Sequence, residues 1–203
     1  MDLRHCSALR RGPIVATWYR AVDPAFLATA ISTKHTPTIT TRFSPGTKIN
    51  PAFEILYLAE NPLVAMFEAQ ALFGSPTKPG GVVPNPARGL VMMNISVQVS
   101  DTADLTHPGE AMVVSTNAQE LTGDWLNFTN RSGGAPHAGK APTQEFGEKL
   151  FGLGTFKGFV SFSAKLADYK ILGVFTERLV PGSDEIKYSY HDGHGVLQTI
   201  LIP

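Results

Sequence analysis

The chain has 203 residues, of which 43% are hydrophobic and 9% aromatic, so it is long enough for one globular domain with an ordinary core. Lysine plus arginine and aspartate plus glutamate each total 17, and this neutral balance argues against a general nucleic-acid or anionic-membrane binder. Cys6 is the single cysteine, which excludes an intrachain disulfide and a cysteine-based zinc site and favours a reducing, cytoplasmic setting.

The first part of the chain alternates between short extended runs and loops. Residues 13–20 predict a first strand, and residues 23–33 predict a short helix or an irregular connection. Residues 35–53 are rich in Thr, Pro and Gly, which predicts a loop with one short extended piece at 39–43. The run ILYLA at 55–59 predicts a buried strand. The N-terminus before these elements, which carries Cys6, is expected to fray.

A buried helix is predicted next. Asn61 can cap its N-terminus and Pro62 suits its first turn, and the apolar pattern extends the helix to Phe73 with a stop at Gly74. The apolar residues lie nearly all round the helix, which is typical of a buried element. Glu68 is the only charged residue in this run, and no basic residue stands three or four positions away. A carboxylate in such surroundings is costly to bury, so it requires a partner or a function.

The middle of the chain contains two loops rich in small residues. Residues 75–89 form a Pro/Gly-rich excursion, and residues 127–142 form a second stretch that we expect to be flexible. Between them, residues 90–99 predict a strong strand, and the turn that follows should contain Asp101 and Asp104.

The remaining elements predict a mixed architecture. Residues 116–126 favour a helix, and Thr143 could cap a second helix that ends at Leu150. Strands are predicted at 158–164 and 169–175, with one or two more in 186–202. These elements lack the steady alternation of strands and helices that is typical of a doubly wound sheet. We therefore predict an α+β single domain over residues 1–203.

His191 and His194 lie in the sequence HDGHG, which also contains Asp192. This spacing suggests a metal site, but no further ligands are apparent, and a closed site needs more of them. We therefore predict a hairpin turn here and no metal.

Arg42, Tyr57 and Glu68 form a candidate site. A strand followed at once by a packed helix can place these side chains around one cleft. Arginine grips phosphate through its planar fork, tyrosine offers a ring and a hydroxyl, and a carboxylate can stabilise an oxocarbenium ion or hold ribose hydroxyls. The structural alternatives are that Glu68 forms an ion pair with Arg20 or Arg42, and that Tyr57 belongs to the core.

The order R-F-x-P-G … Y-L-A … E, which begins at Arg42, resembles the RES domain, the toxin half of RES–Xre toxin–antitoxin systems. The resemblance includes the aromatic-Arg start that ends at Arg20, APTQEFG at 141–147, and GFVSFSA at 158–164, which places the family serine at Ser163. It covers roughly residues 15–176, with strands in 186–202 completing the sheet. The chain departs from the family at Thr40-Thr41, where Gly-Gly is frequent, and at Phe162, where proline is frequent.

This resemblance implies an ADP-ribosyltransferase-like fold and cleavage of the nicotinamide–ribose bond of NAD by hydrolysis or phosphorolysis. By this resemblance, Arg42 would contact the pyrophosphate or an incoming phosphate, and Tyr57 would stack on or orient the nicotinamide ribose. Glu68 would bind the ribose hydroxyls and stabilise the developing cation. Ser163 would form a hydrogen bond with the nicotinamide ribose or amide. Arg20 joins them as a further NAD-binding residue. NAD is then a substrate, and no cofactor or metal is implied.

The resemblance also implies a partner. A toxin of this family would be held by a helix-turn-helix antitoxin of the Xre type in a heteromeric complex, with a homo-oligomer as another assembly, and it would contact neither membrane nor nucleic acid directly. Two alternatives stay open: an ADP-ribosyltransferase that modifies a protein, and a non-catalytic partner-binding domain of the same fold.

Overall fold

The computed structural model describes residues 1–48, 52–76, 78–126 and 139–203. The described residues form nine strands: β1 Gly12–Val22, β2 Leu56–Ala59, β3 Leu72–Gly74, β4 Val82–Pro84, β5 Val91–Asp104, β6 Gly158–Phe162, β7 Lys170–Val174, β8 Glu185–His191 and β9 Leu197–Ile202. They also form four α-helices: α1 Pro62–Glu68, α2 Pro108–Val113, α3 Ala118–Thr122 and α4 Pro142–Gly152. Short 3₁₀ helices occupy Leu3–Ala8, Pro24–Thr29, Thr36–Thr38, Gly46–Lys48 and Thr176–Arg178.

A mixed β-sheet is the centre of the molecule. Seven strands follow the order β1-β2-β7-β6-β5-β8-β9, and β1 pairs additionally with β5. The pairings of β1, β2, β7, β6 and β5 therefore close a ring, from which β8 and β9 extend. The β5–β6 pair is parallel, and the other pairs in this sheet are antiparallel. β3 and β4 form a separate two-stranded ribbon. The predicted α+β single domain is confirmed.

Two apolar clusters fill the two sides of the sheet, because successive residues of a strand point to opposite faces. One cluster lies between the sheet and the helices and is rich in phenylalanine, including Phe43, Phe146 and Phe159. The ring centroids of Phe43 and Phe159 are 4.6 Å apart. The other cluster contains Trp18 and alternate residues of β5, such as Ile95. The candidate site lies on the side of the phenylalanine-rich cluster.

The predicted strands at 13–20, 55–59, 90–99, 158–164 and 169–175 are confirmed as β1, β2, β5, β6 and β7. Residues 186–202 form two strands, and the predicted hairpin turn at His191–Gly195 joins them. The short helix expected within 23–33 is a 3₁₀ helix capped by the Asp23 side chain.

The predicted extent of helix α1 is wrong. The helix ends at Glu68 rather than Phe73, and Gln70 has a positive φ of 59°, which ends the helical path. Leu72–Gly74 then pairs with Val82–Pro84 inside the predicted 75–89 excursion. The end of the apolar run, residues 72–74, therefore forms a strand, because pairing with a segment eight to twelve residues downstream overrides the local helical pattern.

Four further expectations are corrected by the structure. Residues 39–43 pair with no strand among the described residues, and the helix expected at 116–126 is reduced to α3. Asp101 and Asp104 lie inside β5 rather than in the following turn. The N-cap of α4 is Ala141 and not Thr143, because Pro142 already takes the first helical position.

Cys6 is fully buried within the 3₁₀ helix Leu3–Ala8, so the expectation of a frayed N-terminus is wrong. Most of the predicted flexible stretch at 127–142 lies outside the described residues, since these resume at 139. Across the described ranges, no helix is long and apolar enough to cross a membrane.

Candidate active site

A cleft of about 380 Å³ opens between β1, β2 and the C-terminal end of α1. This volume lies within the range of small-molecule sites, roughly 300–1,000 Å³. Four of the five residues predicted for the site line it: Arg20, Arg42, Tyr57 and Glu68. The other lining residues are Tyr19, Ala21, Thr41, Leu58, Ala59, Ala65, Ala69, Trp125 and Ile171.

Glu68 is the last residue of α1, and its carboxylate is held by Ser163 from the other end of the chain. The Ser163 hydroxyl donates to Glu68 Oε1 over 2.6 Å. The same hydroxyl oxygen accepts the backbone N–H groups of Lys165 and Leu166 at 3.1 and 3.2 Å. Ser163 is 0% exposed and does not line the cleft. Since its single proton is directed to Glu68, Ser163 orients the carboxylate.

Arg42 lines the cleft without forming an ion pair with Glu68. Within the described part of the chain, no nitrogen–oxygen contact of 4.0 Å or less joins the two side chains. Arg42 Nε is buried and has no hydrogen-bond partner among the described atoms. Burial lowers the pKa of the Arg42 guanidinium, while the negative charge of Glu68 opposes that shift. The structural alternative of a direct Arg42–Glu68 salt bridge is therefore not found.

Arg20 supplies a second guanidinium to the cleft. Its Nη1 donates to the backbone carbonyl oxygen of Tyr57 over 2.8 Å, which ties β1 to β2. No carboxylate in the described ranges forms an ion pair with Arg20, and burial lowers the pKa of this guanidinium. Two guanidinium groups without a paired carboxylate favour an anionic ligand, because a buried cation is stabilised by an opposite charge.

Tyr57 connects the cleft to the loop that carries Arg42. Its hydroxyl is 2.8 Å from Thr41 Oγ1, so the phenol has a hydrogen-bond partner in the loop. Burial raises the pKa of the Tyr57 phenol, so the phenol stays neutral at physiological pH. The ring packs partly against the phenylalanine-rich cluster, so Tyr57 contacts the core and also lines the cleft.

The two positions at which the chain departs from the family pattern, Thr40-Thr41 and Phe162, make different contacts. Thr41 uses its side chain, because Thr41 Oγ1 also accepts the backbone N–H of Ser44 over 3.1 Å. The hydroxyl thus fixes the Arg42 loop with bonds that glycine could not make. Phe162 packs against the phenylalanine-rich cluster next to Ser163.

The sequence reasoning missed four residues around the cleft. Tyr19 and Trp125 line it with aromatic surface. Gln144 and Gly147 of α4 lie behind the Arg42 loop, where Gln144 Nε2 donates to Thr41 O over 2.8 Å. The alternation of β1 could have indicated Tyr19, and the segment APTQEFG carried Gln144, but no local pattern indicated the position of Trp125.

The chain was compared with protein families, curated proteins and solved structures. The family model described as the RES domain matches residues 17–188. The fold is similar to one in the crystal structure of the M. tuberculosis MbcT–MbcA toxin–antitoxin complex, with a TM-score of 0.60 and 18% sequence identity over 98% of this chain and 91% of that chain. At this identity the likeness shows a shared fold. A search of curated proteins found no match.

Proposed function

The chain belongs to the RES-domain family, and on that premise we propose that it is a toxin of a toxin–antitoxin system that breaks the nicotinamide–ribose bond of NAD. The observation that carries this proposal is the Glu68 carboxylate, which Ser163 orients at a cleft that also contains two guanidinium groups without a carboxylate partner. This arrangement matches a substrate that carries anionic phosphates at one end and develops positive charge at the other.

The proposed chemistry needs a stabilised cation. When the bond between nicotinamide and ribose breaks, its electron pair leaves with the nicotinamide nitrogen, and an oxocarbenium ion forms on the ribose. Nicotinamide leaves as a neutral molecule because its ring nitrogen was positively charged in NAD. A fixed carboxylate beside the ribose stabilises the new charge more than it stabilises the ground state, so it lowers the barrier. We assign this role to Glu68.

The other residues position the substrate. Arg20 and Arg42 are proposed to bind the pyrophosphate, because guanidinium forks match phosphate oxygens in pairs. The Tyr57 ring forms part of the cleft wall and is proposed to orient the nicotinamide ribose. Ser163 is proposed to act through Glu68, since its hydroxyl is buried and donates to that carboxylate.

The test is nicotinamide release from NAD by the purified protein, with and without inorganic phosphate. We expect release from the wild type and a loss of about a thousandfold in Glu68→Gln, which keeps the shape and removes the charge. Glu185→Gln, on β8 and outside the cleft, is the matched control and should retain activity. No release from the wild type, or full release from Glu68→Gln, would refute the proposal.

The acceptor of the ADP-ribosyl group distinguishes NAD cleavage from the alternative, in which the group is transferred to a protein. Hydrolysis gives free ADP-ribose, and phosphorolysis gives ADP-ribose 1″-phosphate only when phosphate is added. An ADP-ribosyltransferase would instead leave the label of adenine-labelled NAD on a protein. The antitoxin partner belongs to the proposal through the family, and a co-expressed helix-turn-helix protein of the Xre type should suppress nicotinamide release.

A non-catalytic partner-binding domain is the remaining alternative. The two unpaired guanidinium groups argue against it, because a buried cation without a ligand destabilises a domain that needs no anion. Ligand binding to the native state raises the melting temperature by mass action. Millimolar NAD should therefore stabilise the protein, and the absence of any shift would favour the partner-only alternative.

A further inference from the structure

One turn of α4, Gln144–Gly147, contacts the backbone of the loop that carries Arg42. Gln144 Nε2 donates to Thr41 O over 2.8 Å, which fixes the carbonyl just before Arg42. Gln144 is buried, and its Oε1 accepts the N–H of Ala141 over 3.1 Å, so both ends of its amide are used. The amide cannot rotate without the loss of both hydrogen bonds.

Gly147 lies three residues after Gln144, on the same face of α4. A Cβ atom built on Gly147 would be 1.9 Å from the carbonyl oxygen of Phe43, so only glycine permits this approach. The Phe43 ring is fully buried against Phe159. The residues on both sides of Arg42 are therefore held, one by a hydrogen bond and the other by close packing.

Arg42 itself has little to fix its side chain. Its Nε has no partner, and no ion pair joins the guanidinium to Glu68 in the described part of the chain. A long side chain without its own hydrogen bonds takes its direction from its backbone and from the packing around it. The position of the guanidinium thus depends on the position of the Thr41–Phe43 backbone.

From this arrangement we infer that Gln144 is a positioning residue for Arg42: it holds the Thr41 carbonyl, with Gly147 packed behind Phe43, so that the Arg42 guanidinium faces the cleft. This inference rests on the proposed function only for its catalytic consequence. The mechanical part, that α4 fixes the Arg42 loop, stands on the contacts alone.

The mechanical part is tested by hydrogen–deuterium exchange in the absence of NAD. Gln144→Glu keeps the oxygen that accepts from Ala141 but replaces the Nε2 donor with an oxygen that repels Thr41 O. We expect faster deuterium uptake in a peptide covering 40–46, because local opening becomes easier. Gln98→Glu is the matched control, since the exposed Gln98 also donates its Nε2 to a backbone carbonyl, that of Ser183, at 3.3 Å. Unchanged uptake at 40–46 in Gln144→Glu would overturn the inference.

The catalytic part is tested by a double-mutant cycle on nicotinamide release. Gln144→Glu should lower kcat/KM about ten- to hundredfold, mainly through KM for NAD. In the Arg42→Ala background the same change should have almost no further effect, because the residue it positions is gone. Equal losses in both backgrounds would show a merely structural role and overturn the inference.

A replacement variant covers the case in which Gln144→Glu does not fold, and the exchange experiment covers the case in which the wild type is inactive. If Gln144→Glu does not fold, Gln144→Met replaces it, because methionine has a similar length and carries no charge. If the wild type releases no nicotinamide, the proposed function fails, and the exchange experiment still decides whether α4 fixes the Arg42 loop.

Discussion

Ser163 Oγ donates to Glu68 Oε1 over 2.6 Å and so joins the end of β6 to the end of α1 across 95 positions of sequence. The donor proton is the only one on the hydroxyl, and two backbone N–H groups occupy its oxygen. Because Ser163 has no further proton to donate, the second carboxylate oxygen of Glu68 forms no hydrogen bond with it. The arrangement fixes the carboxylate but does not neutralise it, as a stabiliser of positive charge requires.

Ser163→Ala should therefore reduce nicotinamide release about ten- to hundredfold, because Glu68 loses the donor that orients it. Ser161→Ala is the matched control: Ser161 is also 0% exposed and lies two residues earlier, but its Oγ has no partner among the described atoms. Removing that buried hydroxyl should leave activity unchanged and stability equal or higher. Steady-state kinetics and thermal melts measure both effects, and equal losses in the two variants would contradict the orienting role.

Arg20→Lys should weaken NAD binding by about tenfold. Lysine keeps a positive charge but cannot donate to Tyr57 O and grip a phosphate through the same planar fork. Arg88→Lys is the control, since Arg88 is exposed and lies outside the cleft. Isothermal titration calorimetry with NAD measures the affinities. An Arg20→Lys protein with wild-type affinity would remove Arg20 from the substrate-binding residues.

The sequence predicts the strands well because their patterns are local. Alternation and β-branched residues mark β1, β5 and the β8–β9 hairpin without knowledge of the rest of the chain. The end of α1 could not be predicted in this way. Its apolar residues continue to Phe73, and only pairing with Val82–Pro84 decides that residues 72–74 form a strand.

In the candidate site, too, some features can be predicted from the sequence and others depend on the folded structure. Glu68 is noticeable in the sequence because it is a lone charge in an apolar run; Arg42 and Tyr57 are nearby candidates, and the family resemblance supports them and adds Ser163. The hydrogen bond between Ser163 and Glu68 is a property of the folded chain, as is the contact of Gly147 with Phe43 O. Neither follows from spacing, since both depend on how distant elements meet.

Cys6 should resist alkylation in the native protein. Burial raises the pKa of its thiol to about 11, and the side chain is 0% exposed. At pH 8 only about a thousandth of the thiol would be ionised even if the reagent could reach it, and the thiolate is the reactive form. Iodoacetamide labelling followed by mass spectrometry should modify Cys6 slowly in buffer and rapidly in guanidinium chloride. Equal rates in the two conditions would show that the Leu3–Ala8 helix is open in solution.

Asp184 should make the fold sensitive to acid. Its carboxylate is buried, which by itself raises the pKa, but hydrogen bonds from Lys157 and from the Ser100 and Val180 N–H groups more than offset this, so the pKa of Asp184 lies below its ordinary value of 3.8. The Lys157 Nζ–Asp184 Oδ2 distance is 2.7 Å, and the Asp184 side chain is 0% exposed. This ion pair joins the residues that immediately precede β6 and β8.

The sign of the pH dependence follows from that lowered pKa. The folded state binds the Asp184 proton less tightly than the unfolded state, so the stabilisation is complete above the unfolded pKa and is lost as the pH falls through the folded pKa. Asp184→Asn should lower the free energy of unfolding by about 3 kcal/mol at pH 7, because Lys157 loses its closest carboxylate. The difference from wild type should shrink below pH 4 in melts recorded from pH 7 to pH 2. Asp23→Asn is the control, since asparagine caps a helix as well as aspartate does, and a pH-independent difference for Asp184→Asn would show that shape rather than charge matters there.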